Sequence, residues 1–186
     1  GVNDNLLDFT IHKIISTSSC NATALIPALK LIDEKKEIIC GDIVTIHPLL
    51  NHQRVLDGSF VQSATRDVDV NFEFGRSSTQ NIIPSKTTTI KTDTVGAINV
   101  TLFTKKSSSL GEIRNFFIDF EKNQKFPIIL NNCEALVSSD FKKENHTTII
   151  DHRFMEVKNN MIKLLLLYDN EWGYASKVVE ILKLCK

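Results

Sequence analysis

Short apolar runs rich in β-branched residues fill the second half of the sequence and constrain its fold most strongly. They surround one amphipathic stretch, 110–123, in which Ile113, Phe116, Phe117 and Phe120 recur at helical spacing. Several runs lie close enough in sequence for antiparallel pairing, and strands outnumber helices. The pattern predicts an α+β fold. The predicted strands here are 97–104, 128–130, 135–138, 147–151, 154–157 and 161–168, and a closing helix is predicted over 171–185.

The first part of the chain predicts a strand, a tight turn and a helix. Residues 12–16, which read H-K-I-I-S, are predicted to be the short strand. The hydroxyl residues at 16–19 can turn the chain and cap a helix. Apolar residues then recur at helical spacing from position 25, although Pro27 falls where a proline normally kinks or breaks a helix.

A β-branched run over 38–47 predicts a further strand, which Pro48 ends. His47 therefore lies at the end of a strand. The polar, irregular region that follows, 49–94, is predicted to form surface loops around a short segment at 80–84. Long loops of this kind are often functional.

Composition excludes two classes of partner. The 186 residues are 42% hydrophobic, enough for one domain with its own core, and Lys+Arg and Asp+Glu number 22 each. Such a balance gives no positive field to attract nucleic acid or an anionic membrane. The longest apolar run, 161–168, contains Lys163 and is far shorter than the roughly 20 residues of a membrane-spanning helix.

The cysteines are widely separated and form no recognisable disulfide or metal motif. They form no C-x-x-C pair and no Cys/His cluster at zinc spacing, so no metal site is expected. A reduced, cytoplasmic protein is predicted instead. The cysteines are Cys20, Cys40, Cys133 and Cys185.

One cysteine occupies a position suited to nucleophilic chemistry. Cys20 follows a run of small hydroxyl residues at a predicted helix start, where the helix N-terminus favours a thiolate. His47, at a strand end, is a candidate base. From placement alone two other interpretations stay open, since a single cysteine is often a small buried hydrophobe and a lone histidine is often structural.

Separated segments of the chain carry a family resemblance. Residues 16–23 read S-T-S-S-C-N-A-T, and residues 44–47 read V-T-I-H. Further along, residues 76–84 read R-S-S-T-Q-N-I-I-P, residues 137–141 read V-S-S-D-F, and residues 168–174 read Y-D-N-E-W-G-Y. In this order they resemble the nucleophile segment S-N-A-S-C-T-T-N, the base segment T-V-H and three further motifs of the glyceraldehyde-3-phosphate dehydrogenase family.

The resemblance covers nearly the whole chain but only the catalytic, C-terminal half of the family. It implies that residues 1–186 are a catalytic domain, with a mixed, largely antiparallel sheet and helices packed on one face. The dinucleotide-binding domain would be absent from this chain, and NAD or NADP would be bound mainly by that domain. A small, phosphorylated aldehyde and a homo-oligomer, typically a tetramer, are also implied. The letters at 51–57 and Trp172 look more like the erythrose-4-phosphate dehydrogenase branch.

The resemblance also implies a role for individual residues. Cys20 would attack the aldehyde to give a thiohemiacetal, and His47 would take the proton and assist hydride transfer to a nicotinamide. Phosphate or water would release the thioester, and the backbone N–H of Cys20 or Asn21 would hold the oxyanion. Without the motif, Asn170 and Tyr174 read as a capping residue and a core aromatic. The implied substrate-binding residues are Ser19, Asn21, Arg76 and Thr87, and the implied cofactor-binding residues are Asn170 and Tyr174.

The substrate side departs from the family pattern. Leu50, Phe74 and Thr94 stand where the family has a threonine and two arginines of its phosphate sites. The guanidinium group of an arginine binds a phosphate dianion through two parallel hydrogen bonds. Without these arginines, the identity of the substrate stays open. The alternatives are an active relative remodelled for another aldehyde, a non-catalytic oligomer subunit, and a thiol hydrolase on the same Cys/His pair.

Overall fold

A single six-stranded sheet organises the computed structural model, which describes residues 2–48, 55–58, 76–77 and 95–184. Its strands run in the order β1-β2-β6-β4-β3, and β5 pairs with β6. The strands are β1 Ile38–Ile46, β2 Val95–Thr104, β3 Ile129–Asn132, β4 Thr148–Asp151, β5 Glu156–Lys158 and β6 Met161–Asp169.

Three α-helices accompany the sheet within these ranges. The predicted helix over 110–123 is confirmed with the same bounds, and the closing helix is confirmed with slightly shorter ones. Ser109 caps α2 by accepting the N–H of Glu112. The helices are α1 Cys20–Lys36, α2 Leu110–Asn123 and α3 Trp172–Leu184, and short 3₁₀ helices occupy Asp4–Leu6, Ser138–Phe141 and His152–Phe154.

Most of the strand pairs are antiparallel. The longest pairing joins β2 to β6, from Val95 opposite Asp169 to Phe103 opposite Met161. In the described part of the chain β3 and β4 are the parallel pair, because the chain between them crosses back before β4 begins. The predicted α+β class, with a mixed and largely antiparallel sheet, is confirmed.

Helices α1 and α2 pack on one face of the sheet. Alternate residues of β2 point to this face, since a strand presents successive side chains to opposite sides. On the opposite face Phe103 keeps 40% of its surface exposed. Each fully buried aliphatic side chain contributes roughly 1.5 to 3 kcal/mol, so this layer stabilises the packing of both helices on the sheet. Its buried residues include Ala24, Ala28 and Ile32 of α1, Ile98, Val100 and Leu102 of β2, and Ile113 and Phe117 of α2.

Helix α1 is fixed at both ends although it contains a proline. Pro27 lies inside the helix and is buried. The hydroxyl of Thr148 in β4 donates to the carbonyl of Ala24 at 2.6 Å, which ties the first half of the helix to the sheet. At the other end Lys36 pairs with Glu112 of α2 at 2.6 Å. These links set the position of the residue that begins the helix.

Two predicted strands are wrong. Residues 12–16 are not a strand, and Ile14 within them is 94% exposed. An apolar run becomes a strand only where a sheet edge can pair with it, and none lies beside this segment in the described chain. Residues 135–138 lead instead into a 3₁₀ helix, because the Asp140 carboxylate accepts the backbone N–H of Val137 at 2.8 Å.

No helix in the described ranges is both long and apolar enough to cross a bilayer.

Candidate active site

The N-terminus of α1 presents Cys20 at the first turn. Ser19 caps the helix, since its hydroxyl accepts the N–H of Ala22 and its carbonyl accepts the N–H of Thr23. The backbone N–H groups of Cys20 and Asn21 belong to the first turn of α1, where such groups have no partner within the helix. Ser19, predicted to bind substrate, therefore holds the helix start that carries the thiol and these two N–H groups.

His47 lies beside Cys20 because β1 ends just before it. Pro48 cannot donate a ladder hydrogen bond, so the strand stops and the imidazole turns into the buried interior. Its Nε2 lies 3.5 Å from the Cys20 Sγ. Its Nδ1 lies 2.8 Å from the Pro48 carbonyl oxygen, which can only accept. Nδ1 therefore carries the proton of the neutral ring, and Nε2 faces the thiol as an acceptor.

Tyr168 is a third member of this site, and sequence reasoning missed it as a site residue. Its hydroxyl donates to the Oδ1 of Asn21 at 2.6 Å. Its ring meets that of His47 edge to face, with centroids 6.4 Å apart. A usable signal was present, because Tyr168 ends an otherwise aliphatic run and a buried tyrosine hydroxyl requires a partner.

Gly96 leaves the space that Tyr168 occupies. The two residues are opposite each other in β2 and β6. A methyl group at Gly96 would lie 2.5 Å from the Tyr168 Cζ, closer than any tolerable contact. Burial, together with the charge that Cys20 can carry, raises the pKa of Tyr168 well above its usual value. Its hydroxyl is therefore a fixed, protonated donor.

Two effects act on the Cys20 thiol in opposite directions. Burial raises the pKa of the thiol, because it removes water from the sulfur and so disfavours the charged form. The backbone N–H groups of Asn21 and Cys20 at the helix start lower the pKa. A neighbouring base that can take the thiol proton therefore favours reaction at this sulfur.

Asn170 and Tyr174 lie on the α3 side of the site. The Oδ1 of Asn170 is buried and has no hydrogen-bond partner. Such an orphaned acceptor costs free energy unless a ligand donates to it. A carboxamide N–H of a nicotinamide is a donor of this kind, so the residue fits the predicted cofactor. The Tyr174 hydroxyl instead bonds the Thr17 hydroxyl at 2.6 Å and ties α3 to the segment before Cys20.

Asp169 orients the turn that carries Asn170, a contribution that the sequence analysis did not identify. One carboxylate oxygen accepts the N–H groups of Glu171 and Trp172 at the start of α3. The other accepts the N–H of Lys143. Asp169 is 5% exposed, so these bonds are shielded from water and hold the turn firmly.

In the described part of the chain, Arg76 contacts Asp57 rather than a residue of the Cys20 site. Its Nε is 3.3 Å from the Asp57 carboxylate. The backbone N–H of Ser77 donates to the same oxygen at 2.6 Å. The hydrogen bond from Ser77, followed by the charge of Arg76, lowers the pKa of Asp57. The other predicted substrate residue, Thr87, lies outside the described residues, as do Leu50, Phe74, Thr94 and the segment 80–84.

The described residues contain no cluster of three or more histidine, cysteine or acidic side chains that could hold a metal ion. Their chemistry is that of an organic nucleophile. A thiol with an acceptor imidazole and two backbone donors can add to a carbonyl, since the base removes the thiol proton and the donors stabilise the oxygen that becomes negative.

Comparison with known proteins identifies what the chain is similar to. The family model described as the glyceraldehyde 3-phosphate dehydrogenase C-terminal domain matches residues 19–92 and 88–170. Glyceraldehyde-3-phosphate dehydrogenase of Aspergillus niger is 29% identical over 98% of this chain. The Lentinula edodes protein of the same name is 30% identical over 98% of the chain. Glyceraldehyde-3-phosphate dehydrogenase 2 of Staphylococcus epidermidis is 29% identical over 97%.

These matches cover only part of each relative. The chain spans 58% of the Aspergillus niger and Lentinula edodes proteins and 56% of the Staphylococcus epidermidis protein. The similarity therefore extends over nearly all of this chain and a little over half of each relative.

Proposed function

Because this chain belongs to the glyceraldehyde-3-phosphate dehydrogenase family through its C-terminal domain, we propose that it is the catalytic part of an NAD(P)-dependent aldehyde dehydrogenase. Cys20 is the nucleophile and His47 is its base. The observation that carries this proposal is the 3.5 Å approach of the His47 Nε2 to the Cys20 Sγ, with the Nδ1 proton held by Pro48. This arrangement aims the basic nitrogen at the thiol proton.

The reaction begins with transfer of the thiol proton from Cys20 to the Nε2 of His47. The sulfur then forms a bond to the aldehyde carbon, and the carbonyl oxygen becomes the oxyanion of a thiohemiacetal. His47 returns the proton to this oxygen and takes it again as a hydride leaves the same carbon. The product is a thioester on Cys20, which phosphate or water releases to regenerate the thiol.

The backbone contributes the electrophilic half of the site. The N–H groups of Cys20 and Asn21 lie in the first turn of α1 and have no partner within the helix, so they are available to the oxygen of an aldehyde bound to the Cys20 sulfur. Preorganised donors of this kind lower the barrier because they need no reorientation as charge develops. Ser19 caps the helix through its hydroxyl oxygen, and the same hydroxyl can still donate a hydrogen bond to the substrate, as its predicted substrate-binding role requires.

The cofactor is expected to bind between this chain and another part of the protein. When bound, the nicotinamide supplies the acceptor for the hydride. Asn170 offers its unpartnered Oδ1 to the carboxamide, and Tyr174 lines the same side through its bond to Thr17. NAD and NADP both suit these residues, since the selecting residues of a dinucleotide site contact the ribose.

The favoured substrate is a sugar phosphate aldehyde, either glyceraldehyde 3-phosphate or erythrose 4-phosphate. The relatives are named for the first compound, whereas the letters at 51–57 and Trp172 favour the second. Arg76 and Thr87 are the residues proposed to contact the phosphate.

One contact supports a second candidate substrate, an aldehyde without a phosphate. Arg76 is engaged with the Asp57 carboxylate, which competes with any incoming anion for the guanidinium. Leu50, Phe74 and Thr94 lack the groups that the family pattern places at its phosphate sites. A relative remodelled in this way would keep the same chemistry at Cys20.

Two further properties belong to the proposal. The described cysteines Cys20, Cys40 and Cys133 are free thiols, as suits the reducing cytoplasm. The protein is a homo-oligomer, and its contact lies on the sheet face opposite α1 and α2, where Val44 and Phe103 are partly exposed. Sedimentation equilibrium of the full-length protein tests the assembly, and a monomer would contradict it.

The proposed function is tested by following reduced nicotinamide with the full-length protein. NAD or NADP is supplied with glyceraldehyde 3-phosphate, erythrose 4-phosphate or unphosphorylated glyceraldehyde. We expect turnover of one sugar phosphate with a kcat/KM at least about tenfold above that of glyceraldehyde, as one retained charged hydrogen bond provides. Equal values would favour the remodelled enzyme. No turnover of any aldehyde, by folded protein that binds cofactor, would contradict the dehydrogenase function.

A further inference from the structure

Two hydroxyl groups of the sheet bind the start of α1. The Tyr168 hydroxyl in β6 donates to the side-chain Oδ1 of Asn21 at 2.6 Å. The Thr148 hydroxyl in β4 donates to the backbone carbonyl of Ala24, also at 2.6 Å. Asn21 and Ala24 are three residues apart, so they lie on the same face of the helix. The turn that begins with Cys20 is therefore attached to the sheet at two points.

The two hydroxyl groups come from neighbouring positions in the sheet. Strands β4 and β6 pair antiparallel with Ile149 opposite Leu167, so the next pair along the two strands is Thr148 and Tyr168. Thr148 is fully buried and Tyr168 is 1% exposed. Because both side chains are shielded from water, no solvent molecule can replace either bond. Loss of one bond would leave a buried polar group unpaired.

Pro27 makes the start of α1 depend on these bonds. It lies inside the helix and has no backbone N–H, so the carbonyl of Thr23 receives no hydrogen bond from it. The first turn is thus linked to the remainder of the helix by one bond fewer than in an uninterrupted helix. The ion pair of Lys36 with Glu112 of α2 lies at the far end. Contacts near the helix start therefore set the position of Cys20.

The same sheet also carries the base. His47 follows β1, which is separated from β4 by β2 and β6. The Sγ of Cys20 belongs to the helix layer and the Nε2 of His47 belongs to the sheet layer, and the two atoms are 3.5 Å apart. A displacement of α1 over the sheet changes this distance directly. The geometry of proton transfer thus depends on how the helix is fixed to the strands.

We propose that Thr148 is a positioning residue for the nucleophile: its hydroxyl fixes the first turn of α1 on the sheet and so keeps the Cys20 sulfur within reach of His47. The inference rests on the proposed function, in which these two residues exchange a proton. Thr148 acts through the carbonyl of Ala24. It is a different contribution from that of the helix cap, which orients the backbone N–H groups of the same turn.

The neighbouring Thr147 offers a matched comparison. It is also buried, and its hydroxyl donates to the carbonyl of Ile128 at 3.1 Å. Ile128 leads into β3, so this bond joins the beginnings of two paired strands and leaves α1 untouched. Thr147 and Thr148 are thus two adjacent buried threonines with the same kind of bond, of which one holds the helix that carries Cys20.

The first test replaces Thr148 by valine in the full-length protein, which keeps the shape of the side chain but removes the hydroxyl. We expect kcat for the aldehyde to fall about tenfold, since a misplacement of about 1 Å can cost about a hundredfold. KM should stay within about twofold of the wild type, because the groups proposed to contact the substrate are unchanged. Thr148→Ser, which keeps the hydroxyl, and Thr147→Val should each keep both constants within about twofold.

The ionisation of Cys20 gives a second readout that needs neither substrate nor cofactor. A thiolate absorbs ultraviolet light that a thiol does not, and Cys20→Ala supplies the blank. The titratable groups that face the sulfur from other elements of the described chain are His47 and Tyr168, and Thr148→Val alters neither. Moving the sulfur away from the imidazole removes a partner that favours the thiolate. The midpoint of ionisation should rise, and the thiolate fraction below it should fall about threefold or more.

The variants and the two readouts together decide the inference. Loss of kcat and of thiolate in Thr148→Val, with both kept in Thr148→Ser and in Thr147→Val, supports it. Wild-type behaviour of Thr148→Val in either readout overturns it, as does equal impairment of Thr148→Ser or of Thr147→Val. Circular dichroism checks that each variant is folded, and Thr148→Ala takes the place of the valine variant should that one not fold. Absence of turnover by the wild type contradicts the proposed function alone, because the thiolate readout does not depend on turnover.

Discussion

Replacing Cys20 by alanine is expected to lower aldehyde turnover by the full-length protein by a factor on the order of 10⁴ or more, the scale for removal of a covalent nucleophile. Without the sulfur no thiohemiacetal forms, so the carbon that would release the hydride is not generated. The helix start should survive, because its cap is the Ser19 hydroxyl rather than Cys20. Production of reduced nicotinamide at saturating aldehyde measures the effect.

Cys133→Ala is the matched control for this variant. Cys133 is an exposed free thiol on the segment after β3, and its loss should leave turnover within about twofold of the wild type. Turnover retained by Cys20→Ala to within about tenfold would remove Cys20 from the mechanism. Loss of turnover in both variants would point to damage from altered thiol content rather than to one nucleophile.

Replacing His47 by asparagine is expected to slow turnover by about a hundredfold or more, the usual range for general acid–base help. Asparagine can still occupy the space after β1, but it cannot accept and return the thiol proton. The thiol, whose pKa burial raises, would then depend on solvent base. The activity of the variant should therefore rise with pH over a range in which the wild type is already active.

The control for this prediction is His12→Asn. His12 lies in the exposed segment before α1, where its Nδ1 accepts the backbone N–H of Asp8. Its replacement should leave the pH profile of turnover unchanged. Equal rates for the wild type and His47→Asn at neutral pH would show that the imidazole is not the base, whatever its distance from the sulfur.

Much of the fold follows from sequence periodicity. The bounds of α2 were predictable because a capping serine precedes a stripe of four apolar residues at helical spacing. Strand β1 was predictable because β-branched residues run up to a proline. These signals are local. Tertiary contacts do not override them in elements whose apolar face packs against the core.

The two incorrect strand predictions have different causes. Segment 12–16 has no partner strand beside it in the described chain, and the presence of a partner depends on distant residues rather than on the segment itself. Segment 135–138 leads into a 3₁₀ helix because of a local hydrogen bond from the Val137 N–H to the Asp140 carboxylate.

The pairing of Cys20 with His47 was predicted from the resemblance. The position of Tyr168 over Asn21 was not, since it requires the pairing of β2 with β6. The effect of burial on the pKa of Cys20 could not be predicted from the helix start alone, because burial depends on the whole fold.

The pairing of β2 with β6 also affects how the protein folds during its synthesis. Asn21 and Tyr168 are 147 positions apart, so the bond between them forms only after all the residues that separate them have left the ribosome. Non-local strand pairing of this kind is slow relative to helix formation. Until it occurs, the Asn21 side chain lacks the partner that positions it. This part of the site is therefore completed late in folding, after α1 itself can form.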